Sequence, residues 1–143
     1  MKDKVYKHSS VLLETPNGEL LFHHRDNKPD IINPNRIGTF GGGADGEESH
    51  EDAAIREIQE ELNYTINKKD LVELTSFHYT RKDGTQLEVK LFILKNVDPK
   101  KLRLNPNEGQ GIVKVSKDDD FSKFDLTPNT KKAINYWWGI NLE

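Results

Sequence analysis

The chain of 143 residues contains no cysteine. That excludes disulfides, thiol nucleophiles and cysteine-bound zinc. Long apolar runs are missing as well. Hydrophobic residues make up 34% of the chain against 31% charged, and no stretch approaches the roughly 20 apolar residues of a membrane-spanning helix. The opening MKDKVYKHSS has no apolar core of the kind an export signal needs. Positive charge is not in excess: the formal net charge is −3, which gives no electrostatic reason to expect a nucleic-acid polymer as partner. Internal repeats and low-complexity tracts are absent. These absences leave a single domain spanning residues 1–143, cytoplasmic by default and without a membrane partner. A chain of this size buries roughly 68–70% of its unfolded surface, enough for one ordinary core.

What is there centres on Gly41 to Tyr64, GGGADGEESHEDAAIREIQEELNY. Ser49 reads as a helix N-cap with Asp52 at the acidic position of a capping box. With ~100° per residue, Ala54, Ile55, Ile58 and Leu62 form one stripe, while Ala53, Glu57, Glu60 and Glu61 form another. Like charges at this spacing cost ~0.2–0.5 kcal/mol per pair, and Arg56, one turn before Glu60, offsets only part of that. A hard divalent cation held by carboxylate oxygens offsets far more, and Mg²⁺ is commonly held by a few carboxylates plus substrate phosphates. The glycines upstream let backbone approach a phosphate or offer a carbonyl to the ion.

Gly42, five residues, Glu48, seven residues, then Arg56-Glu57-Ile58-Gln59-Glu60-Glu61 resembles the Nudix box, G-x5-E-x7-R-E-U-x-E-E-x-G-U, where U is aliphatic. Asn63 replaces the last glycine and Tyr64 the final aliphatic residue. Asn is the next best residue after Gly for a left-handed helix end, and Tyr64 is expected to start a strand.

The remainder reads as strands and one further helix. Val5 to Glu14 and Glu19 to His24 form a hairpin through Asn17-Gly18. His23 and His24 alternate faces and read as ordinary strand surface. Arg25 to Arg36 is a polar loop whose two arginines are either phosphate contacts or solvated charges. Leu71 to Thr80 and Gln86 to Asn96 are strands joined through Asp83-Gly84, the second covered on both faces towards its end. Phe77, Tyr79 and Phe92 are expected in the core. Val97 to Gln110 is a loop carrying Glu108 within NEGQG, followed by a short strand, Gly111 to Val115. Asp118 to Asp120 is a solvated acidic run. Thr127-Pro128 opens a closing helix through Trp137 or Trp138, with Ala133, Ile134 and the tryptophans packed on the sheet. This order of elements implies an α/β fold, and the resemblance implies a Nudix-type α/β/α sandwich with a mixed central sheet.

The resemblance further implies a hydrolase that cleaves a nucleoside diphosphate linked to another moiety, such as a nucleoside triphosphate, an oxidised nucleotide or a nucleotide sugar. It implies Mg²⁺ as cofactor, with Mn²⁺ able to substitute since both prefer oxygen ligands. By family analogy Glu57, Glu60 and Glu61 are metal ligands, joined by the Gly42 carbonyl. Arg56 orients a box glutamate. Glu60, Glu61 and Glu108 are all candidates for the general base. Arg25, Arg36 and Glu48 are assigned to substrate binding, Glu48 also suiting a brace between loop and helix or an outer metal contact. The expected partner is a small nucleotide, and homodimers are common in such families. Two rivals stand beside this reading. Gly41-x-Gly43-x-x-Gly46 formally matches a dinucleotide fingerprint, but no βαβ unit follows it and the glutamates are left without a role. A catalytically silent nucleotide-binding or regulatory module is the other, although such proteins usually lose box carboxylates and all of them stand here.

Overall fold

In a computed structural model, residues 4–27 and 35–142 are described. Pro29 and Pro34 of the Arg25–Arg36 loop lie outside them. Seven strands form one mixed sheet among the described residues: β1 (Val5–Glu14), β2 (Leu20–His24), β3 (Ile37–Gly38), β4 (Phe40–Gly43), β5 (Val72–Thr80), β6 (Gln86–Leu94) and β7 (Gly111–Val115). The helices are α1 (His50–Leu62) and α2 (Pro128–Trp138), with one-turn 3₁₀ helices at Lys68–Asp70, Pro99–Lys101 and Phe121–Lys123. No described helix is long and apolar enough to cross a membrane.

β1 sits at the centre. It runs parallel to β6 over nine pairs from Val5↔Gln86 to Leu13↔Leu94. On its other edge the start of β1 pairs with β4, His8 opposite Gly43 and Val11 opposite Phe40, while its end pairs with β2. β2 diverges from β1 and pairs with β7 and β3. The chain through Thr39 thus crosses from one arm of the sheet to the other, and the glycine strand β4 is set at the fork. β6 in turn pairs antiparallel with β5, through the Asp83-Gly84 turn where Gly84 has φ +91°.

Alternation along β1 sorts the two faces. Val11 and Leu13 point into a core with Ala54, Ile58 and Leu62 of α1, whereas Leu12 points into a core with Ala133 and Ile134 of α2. The three α1 residues are fully buried, and each Leu or Ile so removed from water contributes about 1.5–3 kcal/mol. One helix therefore covers each face, the expected α/β/α sandwich. Ser49 caps α1, its side chain accepting from the Asp52 N–H, and Asn63 ends it in the left-handed conformation with φ +52°. Thr127 caps α2 with Pro128 in its first turn. Trp137 donates to Glu14 Oε2 at 3.1 Å and Trp138 packs against Phe121, so both indoles are used within the chain. Tyr64 does not start a strand. It lies partly buried against the α1-side core, and β5 begins eight residues later at Val72. The intervening segment is turned by the 3₁₀ helix at Lys68–Asp70, capped by the Asn67 side chain.

Candidate active site

The free edge of β4 meets the acidic flank of α1. The Gly41 N–H donates to Glu61 Oε1 at 3.0 Å, so Gly41 faces away from β1. Alternation in the ladder then turns the Gly42 amide and carbonyl towards Ser9 on β1. Ala44, two residues beyond, donates to Lys7 O at 3.0 Å in the same phase. The carbonyls on the free edge are those of Gly41 and Gly43. The Gly42 carbonyl thus faces β1, and the Gly41 carbonyl faces the free edge. Gly42 matters for another reason: a methyl there would stand 2.5 Å from Glu57 Cδ. Its missing side chain lets the Glu57 carboxylate lie against the strand.

Arg56 ties the loop and helix together. Its Nε and Nη2 donate to the two oxygens of Glu48 at 2.9 and 3.0 Å. Nη1 reaches Glu57 and Glu60, both at 3.2 Å, and Nη2 also donates to the Gly43 carbonyl at 2.9 Å. Glu48 Oε1 accepts from the Asp45 N–H as well, at 2.9 Å. Glu48 is consequently engaged at the loop–helix junction. The bonds to Arg56, then the Asp45 amide, hold its pKa below the usual value, and Arg56 is raised above its own.

The remaining carboxylates are under strain of a different kind. Glu61 is only 7% exposed. Burial pushes its pKa up to about 9, against the pull of the Gly41 N–H and with further repulsion from Glu57 and Glu108. Glu57 is raised mainly by burial, which outweighs Arg56, and Glu60 and Glu108 add to the rise. Glu108 is raised by burial, then by Glu60 and Asp26. Four glutamates from two segments therefore share one repulsive neighbourhood.

Glu108 reaches it because its loop is pinned to the end of β2. His23 Nε2 donates to the Glu108 carbonyl, Gln110 N donates to His24 O at 2.8 Å, and the Gln110 side chain donates to Arg25 O at 2.7 Å. Gly109 has φ +130°, and a Cβ there would stand 2.1 Å from His23 Nε2. His23 is no surface residue: it is 7% exposed and stacks on Phe40 at 4.9 Å. The sequence reading missed this positioning role. The signal was its phase, since His23 alternates with Leu21, a residue of the α1-side core.

On the α2 side of the sheet lies a cleft of about 660 Å³. Gly41 and Gly42 form one wall, and the N-terminus of α2 at Thr127–Asn129 another. None of the four glutamates lines it, and the glycines of β4 border both. Arg25 and Arg36 both line it, together with Arg81 and Lys82 of the β5–β6 turn. Arg36 also donates to Asp125 at 3.1 Å. Burial lowers the Arg25 pKa, while the Glu61 carboxylate opposes that shift, so Arg25 links the cleft electrostatically to the acidic cluster. Of the three strand aromatics expected in the core, Phe92 is there, Phe77 lies under the Lys132 ammonium, and Tyr79 lines the cleft.

A NUDIX domain family model matches residues 7–135. The chain belongs to the Nudix hydrolase family. No curated protein sequence gives a significant match. Among solved structures, a MutT Nudix hydrolase from Burkholderia pseudomallei superposes with a TM-score of 0.78 at 20% identity, covering 94% of this chain and 99% of that one. A Nudix hydrolase from Nitrosomonas europaea gives 0.73 at 19% identity over 95% and 90%. A bifunctional NMN adenylyltransferase/ADP ribose pyrophosphatase from Francisella tularensis gives 0.69 at 17%, over 97% of this chain and 42% of its own length. At such identities the likeness is one of fold.

Nudix hydrolases generally use a divalent metal. Among the described residues no three acidic or histidine side chains converge closely enough to grip an ion as they stand. The reason is visible: Arg56 draws Glu57 and Glu60 to itself, and Gly41 holds Glu61. The donor set nevertheless fits a hard cation. It consists of oxygens only, it is partly buried, and its carboxylates raise one another's pKa.

Proposed function

We propose that this Nudix hydrolase cleaves a nucleoside diphosphate from a linked group by attack of water on phosphorus, with Mg²⁺ as cofactor and Mn²⁺ as a substitute. The observation that carries the reading is the juxtaposition at β4: a partly buried acidic cluster beside a cleft with cationic walls, both meeting the same two glycines. A polyphosphate and four glutamates repel each other, so a cation must stand between them. Glu57, Glu60 and Glu61, with the Gly41 carbonyl, would hold it. Once bound, it would supply charge neutralisation at the phosphate oxygens and stabilise the leaving oxygen.

The chain's own residues do the rest. Arg56 keeps Glu57 and Glu60 registered against the strand, and Glu48 keeps Arg56 in place. Arg25 and Arg36 on the cleft wall suit phosphate oxygens by the planar geometry of their guanidinium groups. Glu60, Glu61 and Glu108 are the candidates to take the proton from water. Glu108 has one advantage: among the described residues its carboxylate makes no hydrogen bond or ion pair, and burial, then Glu60 and Asp26, raise its affinity for a proton.

The test is product release from triphosphates, dinucleoside polyphosphates and nucleotide sugars, with and without Mg²⁺, for the wild type and Glu61→Gln. Ion-dependent turnover that the substitution reduces at least ~100-fold is expected. Identical behaviour of the two proteins on every substrate would remove the enzymatic reading and leave a binding module.

A further inference from the structure

The cleft takes cations from two parts of the sheet, and Arg25 and Arg81 repel each other across it. At the β4 end stand Arg25 and the glycine wall. The middle is lined by His8, Tyr79 and Leu87, and the other end by Arg81 and Lys82. The order follows from the sheet. β4, β1, β6 and β5 are successive neighbours, His8 pairing with Gly43 and Tyr79 with Leu87. Three strand spacings of ~4.8 Å put the β5 backbone about 14 Å from the glycine strand. His8 feels Arg81 and Arg25 together, and burial with these two charges lowers its pKa to about 4. It is a neutral ring at physiological pH, flanked by cations.

Arg81 is the unexplained group. It is half-buried at the end of β5, where its backbone closes the turn by donating to Thr85 O at 2.8 Å. Its guanidinium makes no hydrogen bond or ion pair among the described residues. Asp83 is the one acid among the lining residues, and its carboxylate caps the turn by accepting from the Thr85 N–H at 2.9 Å. Lys82 beside it is exposed and likewise unpaired among the described residues. Asp83 feels the Arg81 charge but makes no ion pair with it, so a half-hidden guanidinium facing a cleft keeps its donors for an anion from outside.

We propose that Arg81 and Lys82 select substrates carrying a second anionic group, a phosphate or a carboxylate, separated from the scissile anhydride by an uncharged, ring-bearing moiety. The inference rests on the cleft being the substrate cleft of the hydrolase proposed above. A nucleoside triphosphate places its charges in one run at the β4 end and leaves the Arg81 end empty. A nucleotide phosphorylated on a remote ribose hydroxyl, or a nucleotide sugar bearing a carboxylate, reaches both.

The experiment uses matched pairs differing in one anion: NADP⁺ against NAD⁺ for a ribose phosphate, and UDP-glucuronate against UDP-glucose for a carboxylate on the leaving side. Charge-assisted contacts of this kind predict a kcat/KM preference of about 10- to 100-fold for the anionic member of at least one pair, and which pair shows it tells phosphate from carboxylate. In Arg81→Gln/Lys82→Gln that ratio should fall to near one. A second measurement needs no turnover: calorimetric binding of adenosine 2′,5′-bisphosphate and of AMP, with tighter binding of the bisphosphate expected in the wild type and lost in the variant. Preference retained in binding with no hydrolysis of any substrate would sink the hydrolase reading and leave the anion site standing. Equal treatment of both members of each pair and of both nucleotides, or equal losses for both members in the variant, would overturn the proposal.

Discussion

Gly42→Ala isolates the placement of one carboxylate. Gly42 has no left-handed backbone to strain, and the nearest neighbours its methyl would meet are the Glu57 carboxyl atoms, at 2.5, 2.6 and 2.8 Å. Ordinary contact begins at 3.4 Å, so the carboxylate must withdraw by about 1 Å. That group ends a flexible side chain held chiefly by Arg56, and an off-rotamer adjustment costs only about 0.5–1.5 kcal/mol. Stability should barely change. Catalysis should not be so forgiving, because a misplacement of ~1 Å costs about 100-fold in rate. The assay is kcat/KM in saturating Mg²⁺ alongside the calorimetric melting temperature. Gly41→Ala is the contrast: its methyl would lie 2.0 Å from the Ser9 backbone carbonyl oxygen at φ +131°, and that variant should be grossly destabilised. Wild-type turnover in a normally stable Gly42→Ala protein would refute the claim that Glu57 acts from beside the glycine strand.

Other perturbations test other parts. Gly109→Ala forces a Cβ into His23 at a left-handed φ; a loss of about 2–4 kcal/mol in urea titration is expected, with Glu108 displaced and kcat reduced. Arg56→Lys keeps the charge but cannot serve Glu48, Glu57, Glu60 and the Gly43 carbonyl together; kcat/KM should fall at least ~10-fold, and Lys restoring full activity would show that charge alone suffices. His8 governs an acid limb of stability. Its pKa falls from 6.5 unfolded to about 4 folded, so the unfolded chain binds the extra proton between those values. Stability is full above pH 6.5 and declines as pH falls to about 4. The ceiling is about 3 kcal/mol, reduced where the partly buried ring meets solvent. Urea midpoints at pH 4.5 and 7.5 should differ less in His8→Gln than in wild type; equal differences would count against a buried neutral imidazole.

Local chemistry made much of the molecule legible. β1 and β7 follow from their β-forming residues and the neighbouring turns, α2 from the cap at Thr127-Pro128, and α1 declared itself through Ser49 and the apolar stripe. What escaped was long-range. β3 and β4 are two and four residues long, too short for any periodicity, and their crossing between β2 and β1 exists only in the folded sheet. That crossing decides which glycine carbonyls of β4 face its free edge, which no local pattern reveals. His23 looked like surface because its burial depends on Phe40 and on the Glu108 loop, each distant in sequence. Arg81 and Lys82 carried no signal of their own beside the Asp83-Gly84 turn, since nothing local reveals that β5 closes the far wall of a cleft begun at β4.

The guanidinium at the centre of the glycine loop and α1 is also a placeholder. By holding three carboxylates it relieves the mutual repulsion that would otherwise open the loop away from the helix. The architecture therefore does not wait for an ion in order to assemble, unlike small domains whose metal is their core. Assembly and the proposed activation by magnesium are then separate events: a chelator should silence turnover without unravelling the chain, and readdition of magnesium should restore it without refolding.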